Sequence, residues 1–194
     1  MTEEQRTFLA HLAPAALASE RRTGIPASIT LAQAALESAG IGEDGHWHWG
    51  QSALAREASN FFGIKYSPFC ASHGAYGSVT MPTHEVVKGQ SVPVHAEFCA
   101  FRTVQDSIDC RAALLMQMPN YALAHQVAQE PASPGKAERF IEALQRARLP
   151  YSTNPRYVDE VMAIVREHQL DRTEVLEALA APEDAPGSAQ AVQA

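Results

Sequence analysis

The chain has 194 residues, with 22 acidic and 15 basic side chains, a net charge of −7 with histidines neutral, and 46% hydrophobic against 19% charged residues. That balance permits one domain with a real core, excludes global disorder, and leaves no basic stripe to neutralise nucleic-acid phosphates or to adhere to an anionic surface. No run approaches the ~20 apolar residues of a membrane span.

The first forty residues read as two helices. Phe8, Leu9, Leu12, Ala16 and Ser19 follow helical spacing, with Gly24 and Pro26 as the stop. Residues 8–18 superficially resemble the core of an export signal, but Glu3 and Glu4 outweigh Arg6 ahead of it, and His11 and Pro14 interrupt it. The expectation is therefore the first helix of a fold, with no general secretory signal. A second helix is predicted over 26–39, with proline at its start and Gly40 just past its end. A Gly- and aromatic-rich loop, 40–50, and a short helix over 52–58 follow.

In the middle the period changes. Residues 79–87 and 92–101 are rich in β-branched and aromatic side chains and are separated by Lys88-Gly89-Gln90-Ser91, a hairpin signal. Pro82 and Pro93 mark a ribbon with exposed edges rather than a central sheet. The pattern then returns to helix near 104–118, 121–129, 134–148, 155–168 and 173–180, with Asn154 and Pro155 as a cap-and-first-residue pair. Residues 181–194 lack large apolar side chains and read as a disordered tail. Cys70, Cys99 and Cys110 cannot all pair with one another. They read either as small buried hydrophobes or, in an oxidising compartment, as one disulfide (Cys70 with Cys99 first) and a free thiol.

One side chain draws attention on chemical grounds. Glu37 is the only ionisable group between Arg22 and Glu43, on an apolar helix that places Gln33 and Ala34 on its face. Shelter from water and the negative end of the helix dipole both raise a carboxyl pKa there, and a protonated carboxyl is what general-acid chemistry needs. A hydrogen bond to a neighbouring loop is the plainer role for such a residue.

Six segments occur in order: LAQAALES at 31–38, LAREASNFFGIK at 54–65, VTMPTHEVV at 79–87, AFRTVQDSI at 100–108, NYALA at 120–124 and YSTNPRY at 151–157. Together they resemble glycoside hydrolase family 73, the bacterial and phage N-acetylglucosaminidases of the lysozyme-like superfamily. The resemblance implies an α+β, mainly α fold: a lysozyme-like helical lobe with a small β-hairpin lobe, about 61–101, enclosing a glycan-binding cleft within one catalytic domain over 1–180. It also implies that the general acid falls on Glu37, a second carboxylate on Glu85 and the family tyrosine on Tyr151, with Tyr157 its companion. Asn60 and Phe61 occupy the family's asparagine–hydrophobic pair. The family often has a tryptophan and a glycine after the Glu-Ser pair, where this chain has Ala39 and a longer loop.

Strand arithmetic bears on Glu85. With the turn centred on Gly89 and Gln90, Val87 opposes Val92 and Glu85 opposes Val94. Glu85 then shares the more apolar face with Thr83, Val87, Val92, Val94, Ala96 and Phe98. The other face carries His84 opposite His95 with Glu97 nearby, a set that can bind zinc but more commonly sits solvated; no metal or other cofactor is expected. For a glycan substrate, Trp47, Trp49, Tyr66, Tyr121 and Tyr157 are candidate surfaces for sugar rings, with core packing the alternative for each. Two carboxylates permit inversion through an activated water at about 6.5–9.5 Å separation; hydrolysis assisted by the substrate's own acetamido group is the other route.

The expected function is an endo-β-N-acetylglucosaminidase acting on the peptidoglycan glycan strand. The settings it fits are a type VI secretion effector, a phage lysin or a wall remodeller, reaching the wall from the cytoplasm by dedicated export or lysis. A cognate immunity protein plugging the cleft is the partner an injected enzyme requires. The alternatives are a lysozyme-like muramidase and a catalytically idle wall-binding domain of the same fold.

Overall fold

The computed structural model describes residues 1–87 and 90–182, without the side chains of 84–87 and 91. The expected tail from residue 181 lies outside them beyond residue 182. Helix α1 (Glu3–Thr23) begins earlier than its apolar spacing implies, because Thr2 and Gln5 form a reciprocal capping box and Glu3 and Glu4 complement the helix dipole. It ends at Gly24, whose φ of 75° is left-handed. A side chain there would also strike the Ala128 carbonyl, so glycine is demanded twice over. Pro14 sits inside α1 on its exposed side.

Helix α2 (Ala27–Glu37) is buried over its first nine residues and packs against α1, α7 (Lys136–Gln145) and α8 (Tyr157–Glu167). A helix apolar all round belongs in the centre of a fold. Its cap residue, Pro26, has no side chain to offer; the Glu20 carboxylate of α1 accepts from the Ala27 N–H instead. The loop that follows contains a two-residue ladder, β1 (Gly40–Ile41) with β2 (Trp47–His48), too short to register as a sequence pattern. Helices α3 (Ala53–Ala58) and α4 (Pro68–Ala71) lead into the ribbon β3 (Gly77–Val87) and β4 (Gln90–Ala100).

The ribbon corrects the expected register. Glu85 opposes Val92 and Thr83 opposes Val94, so every partner is displaced by two residues from the strand arithmetic. Because side chains alternate with period two, the slip leaves the faces intact. Val79, Met81, Thr83, Val94 and Ala96 are half-buried, while Ser78, Thr80, Pro82, Pro93, His95 and Glu97 are exposed. The slip does undo the His84–His95 pairing: His95 opposes Pro82 and His84 opposes Pro93.

Beyond the ribbon, α5 (Val104–Gln117) opens with a second capping box, Thr103 with Asp106. A 3₁₀ turn (Pro119–Tyr121) precedes α6 (Ala122–Gln129), and α9 (Thr173–Ala180) returns against α1. Asn154 is not the cap of α8. Its Oδ1 accepts from the Arg156 N–H at 2.9 Å, forming a turn one step ahead of the helix. The three cysteines are free and buried, and the thiols of Cys70 and Cys99 both point at the Lys65 carbonyl.

Candidate active site

Glu37 is the last residue of α2, and its side chain emerges at an exposed position. Its partner is a hydroxyl rather than a cation: the Tyr157 O–H donates to Glu37 Oε1 at 2.8 Å. The protein crowding its inner side raises the Glu37 pKa; the Tyr157 hydrogen bond and then the Arg111 charge pull it back down. With Oε1 taken as an acceptor, Oε2 is the oxygen left free to carry a proton.

Tyr157 is itself fixed. The Gln33 side-chain amide, one helical turn before Glu37, donates to the Tyr157 oxygen at 2.7 Å. Burial pushes the Tyr157 hydroxyl far above the ordinary phenol range, so it stays a donor at any working pH. Arg111 of α5 then donates to Gln33 Oε1, and to the Thr30 hydroxyl at 3.3 Å, with its guanidinium over the Phe62 ring at 5.1 Å. The Tyr151 ring packs at 5.6 Å against that of Tyr157, tilted by 31°, and faces Arg111, and its hydroxyl is pushed up to about 12 by burial. Tyr157, named as a companion, is thus the tyrosine in contact with Glu37, and Tyr151 stands beside it.

The tyrosine segment is held by paired amides. Gln145 both donates to the Ser152 carbonyl (3.1 Å) and accepts from the Ser152 N–H (2.9 Å). Asn120 makes the same two-point clamp on Leu149, at 2.8 and 3.1 Å. On the other side of Glu37, the Ser38 hydroxyl accepts from the Gly50 N–H at 3.0 Å, and its carbonyl accepts from the Ser52 N–H, tying the far end of the aromatic loop to the helix end.

The remaining candidates separate by burial. Asn60 is 1% exposed, and its amide is spent on Ile64 and the Cys99 carbonyl, so it builds the base of the ribbon instead of offering a surface to a sugar. Phe61 is buried against Phe8. Trp49 packs between Phe8 and His168 and anchors the loop, whereas Trp47 is 71% exposed. His48 pins the same loop to α1 by bridging Glu4 and Asp44. Tyr66 is partly exposed at the ribbon base and Tyr121 half-buried. The backbone of Glu85 lies in the ribbon register, while its side chain lies outside the described residues.

A hollow of about 560 Å³ lies elsewhere, between α1 and the start of α5, and is lined by none of these side chains. No group of three or more potential metal ligands occurs among the described residues.

Sequence reasoning missed Arg111. The signal was present, because Ile108, Arg111 and Leu115 are spaced three and four apart and all three are buried.

A family model described as mannosyl-glycoprotein endo-beta-N-acetylglucosaminidase matches residues 13–170. The exo-glucosaminidase LytG of Bacillus subtilis is 32% identical over 170 residues, 87% of this chain and 53% of that protein. Peptidoglycan hydrolase FlgJ of Salmonella typhimurium is 32% identical over 173 residues, 86% of this chain and 47% of that protein. The chain therefore spans about half the length of these relatives. In fold it is similar to the catalytic domain of the autolysin Auto from Listeria monocytogenes, with a TM-score of 0.67 at 24% identity and 88% of each chain covered.

Proposed function

The chain belongs to the glucosaminidase family, glycoside hydrolase family 73, and from that premise we propose that it is a peptidoglycan hydrolase, an endo-β-N-acetylglucosaminidase with Glu37 as general acid. The observation that carries the reading is the state of that carboxyl. It is exposed on one side, crowded on the other, and hydrogen-bonded at Oε1 by a hydroxyl that cannot ionise at working pH. Oε2 is left to hand its proton to the departing glycosidic oxygen as positive charge develops on the sugar ring.

Once the proton has left, the carboxylate retains the Tyr157 hydrogen bond, which stabilises the charge that the step creates. Glu85 is the second carboxylate of this reading. Its register position shares the ribbon face that carries Val94 and Ala96, from which it would activate water or orient the substrate's acetamido group. The wall lies outside the cytoplasmic membrane, so the enzyme reaches it by export or lysis.

Mass spectrometry of fragments released from purified peptidoglycan tests the reading. N-acetylglucosamine at the new reducing end, within oligomers as well as terminal units, is the expected result. N-acetylmuramic acid there would make the protein a muramidase. Glu37→Gln that still clears wall would remove Glu37 from the role of acid.

A further inference from the structure

Arg111 is 2% exposed, and among the described residues it forms no ion pair. Its Nε has no hydrogen-bond partner. A buried cation without an adjacent anion is costly, and an aliphatic side chain of similar length would fill the same space between α5 and α2 without that cost. The charge therefore calls for an account beyond packing.

Besides its bonds to Thr30 and Tyr151, Arg111 heads a run of three hydrogen bonds that supplies one, because the three run in the same direction. The guanidinium donates to Gln33 Oε1, Gln33 Nε2 donates to the Tyr157 oxygen, and the Tyr157 O–H donates to Glu37 Oε1. An amide bonded in this sense has its N–H polarised by the cation, and the hydroxyl that accepts from it becomes a better donor in turn. Three helices contribute one link each, α5, α2 and α8, so the chain is fixed by the packing of the core.

We propose that Arg111 is a positioning residue for the acid: through Gln33 and Tyr157 it holds the Glu37 carboxyl in a single orientation, with Oε2 outward, and sets a fixed positive charge behind it. This rests on the reading of Glu37 as general acid. The charge acts on the reaction because it favours the carboxylate, the form of Glu37 present after the proton has been transferred. Burial alone would leave an acid too reluctant to give up its proton; Arg111 offsets part of that effect. The ionisable groups facing Glu37 among the described residues are Tyr157 of α8, Tyr151 of the segment before it and Arg111 of α5. Neither α2 itself nor the α1 and α7 helices packed on it add another.

The test is the pH profile of kcat/KM on purified peptidoglycan for Gln33→Glu, Arg111→Met and Arg111→Lys, each checked for folding by circular dichroism. Gln33→Glu is isosteric, neutralises Arg111 with an adjacent carboxylate, and draws the Tyr157 hydroxyl away from Glu37. Its alkaline limb is expected to move up by on the order of one pH unit, with kcat about tenfold lower. Arg111→Met is expected to move the limb in the same direction, and Arg111→Lys, which keeps the charge, to restore most of the shift. An alkaline limb coincident with that of the unmodified protein in folded Gln33→Glu overturns the proposal, whether or not Arg111→Met folds. Glu37→Gln, assayed alongside, separates the two claims. If it is active, the acid assignment itself is at fault; if it is inactive while Gln33→Glu is unshifted, only the role of Arg111 falls.

Discussion

The two carboxylates of the proposed site stand on opposite kinds of structure. Glu37 closes a helix whose first nine residues are buried, and a chain of donors from three helices fixes one of its oxygens. Glu85 lies on a two-stranded ribbon whose outer face is exposed and which carries a proline in each strand, Pro82 and Pro93. A proton donor must be oriented and partly desolvated at the moment of reaction, which a core helix provides. A group that acts through water or an acetamido arm tolerates a looser support, which a ribbon provides. Preorganisation is thus concentrated on the acid.

The contrast has a rank order of consequences. Glu37→Gln is expected to lower kcat by about 10²–10⁴-fold, the usual contribution of a general acid, while wall binding persists in a pull-down with insoluble peptidoglycan. Glu85→Gln is expected to cost less, about 10–100-fold, measured in the same reducing-end assay. Equal losses for the two would mean that the ribbon is as preorganised as the helix.

Tyr157→Phe comes next. It removes the hydrogen bond to Glu37 and leaves the Gln33 amide facing a ring, so kcat should fall by about tenfold, the rate equivalent of a modest hydrogen bond to a charged group. Its alkaline limb should move to higher pH, since Tyr157 lowers the Glu37 pKa.

The smallest effect is on stability, and its sign is informative. The Glu37 pKa is raised in the folded state, chiefly by burial, so the folded protein holds this proton more tightly than the unfolded chain does. Stability from this group is complete below the unfolded value and is lost as pH rises through the folded one. Glu37→Gln should therefore melt about 1–3 °C higher than the unmodified protein at neutral pH and match it near pH 4, by calorimetry. The expected trade is activity lost for stability gained, confined to the pH range in which Glu37 would be charged.

How much of this was legible in the sequence follows the same division. The α2 helix and the carboxyl at its end were readable, because one charge in a long apolar stretch is conspicuous and helical spacing puts Gln33 on its face. The ribbon's existence and its faces were readable from alternation, but its register was not. A slip of two residues preserves every apolar-in, polar-out match, so alternation alone does not decide it. Arg111 was hidden by its type: an arginine beside Asp109 reads as solvated surface unless the Ile108–Leu115 spacing is given more weight than the charge. Asn60 was misplaced for the related reason that an asparagine in a motif suggests ligand contact, while this one satisfies buried backbone at the ribbon base. The division of labour between Tyr151 and Tyr157 depends on where α8 begins, and the Asn154 turn sets that start beyond the reach of a capping rule.

The claim beneath all of this is that Glu37 keeps its proton further up the pH scale than an ordinary glutamate, while a neutral hydroxyl bonds its other oxygen. The most direct measurement is a carbon-13 NMR titration of the Glu37 side-chain carboxyl, identified by its absence in Glu37→Gln and repeated in Tyr157→Phe. The account expects a midpoint above the ordinary glutamate value of about 4.3, moving higher still when the Tyr157 hydroxyl is removed. A midpoint at or below the ordinary value, indifferent to Tyr157, would contradict it.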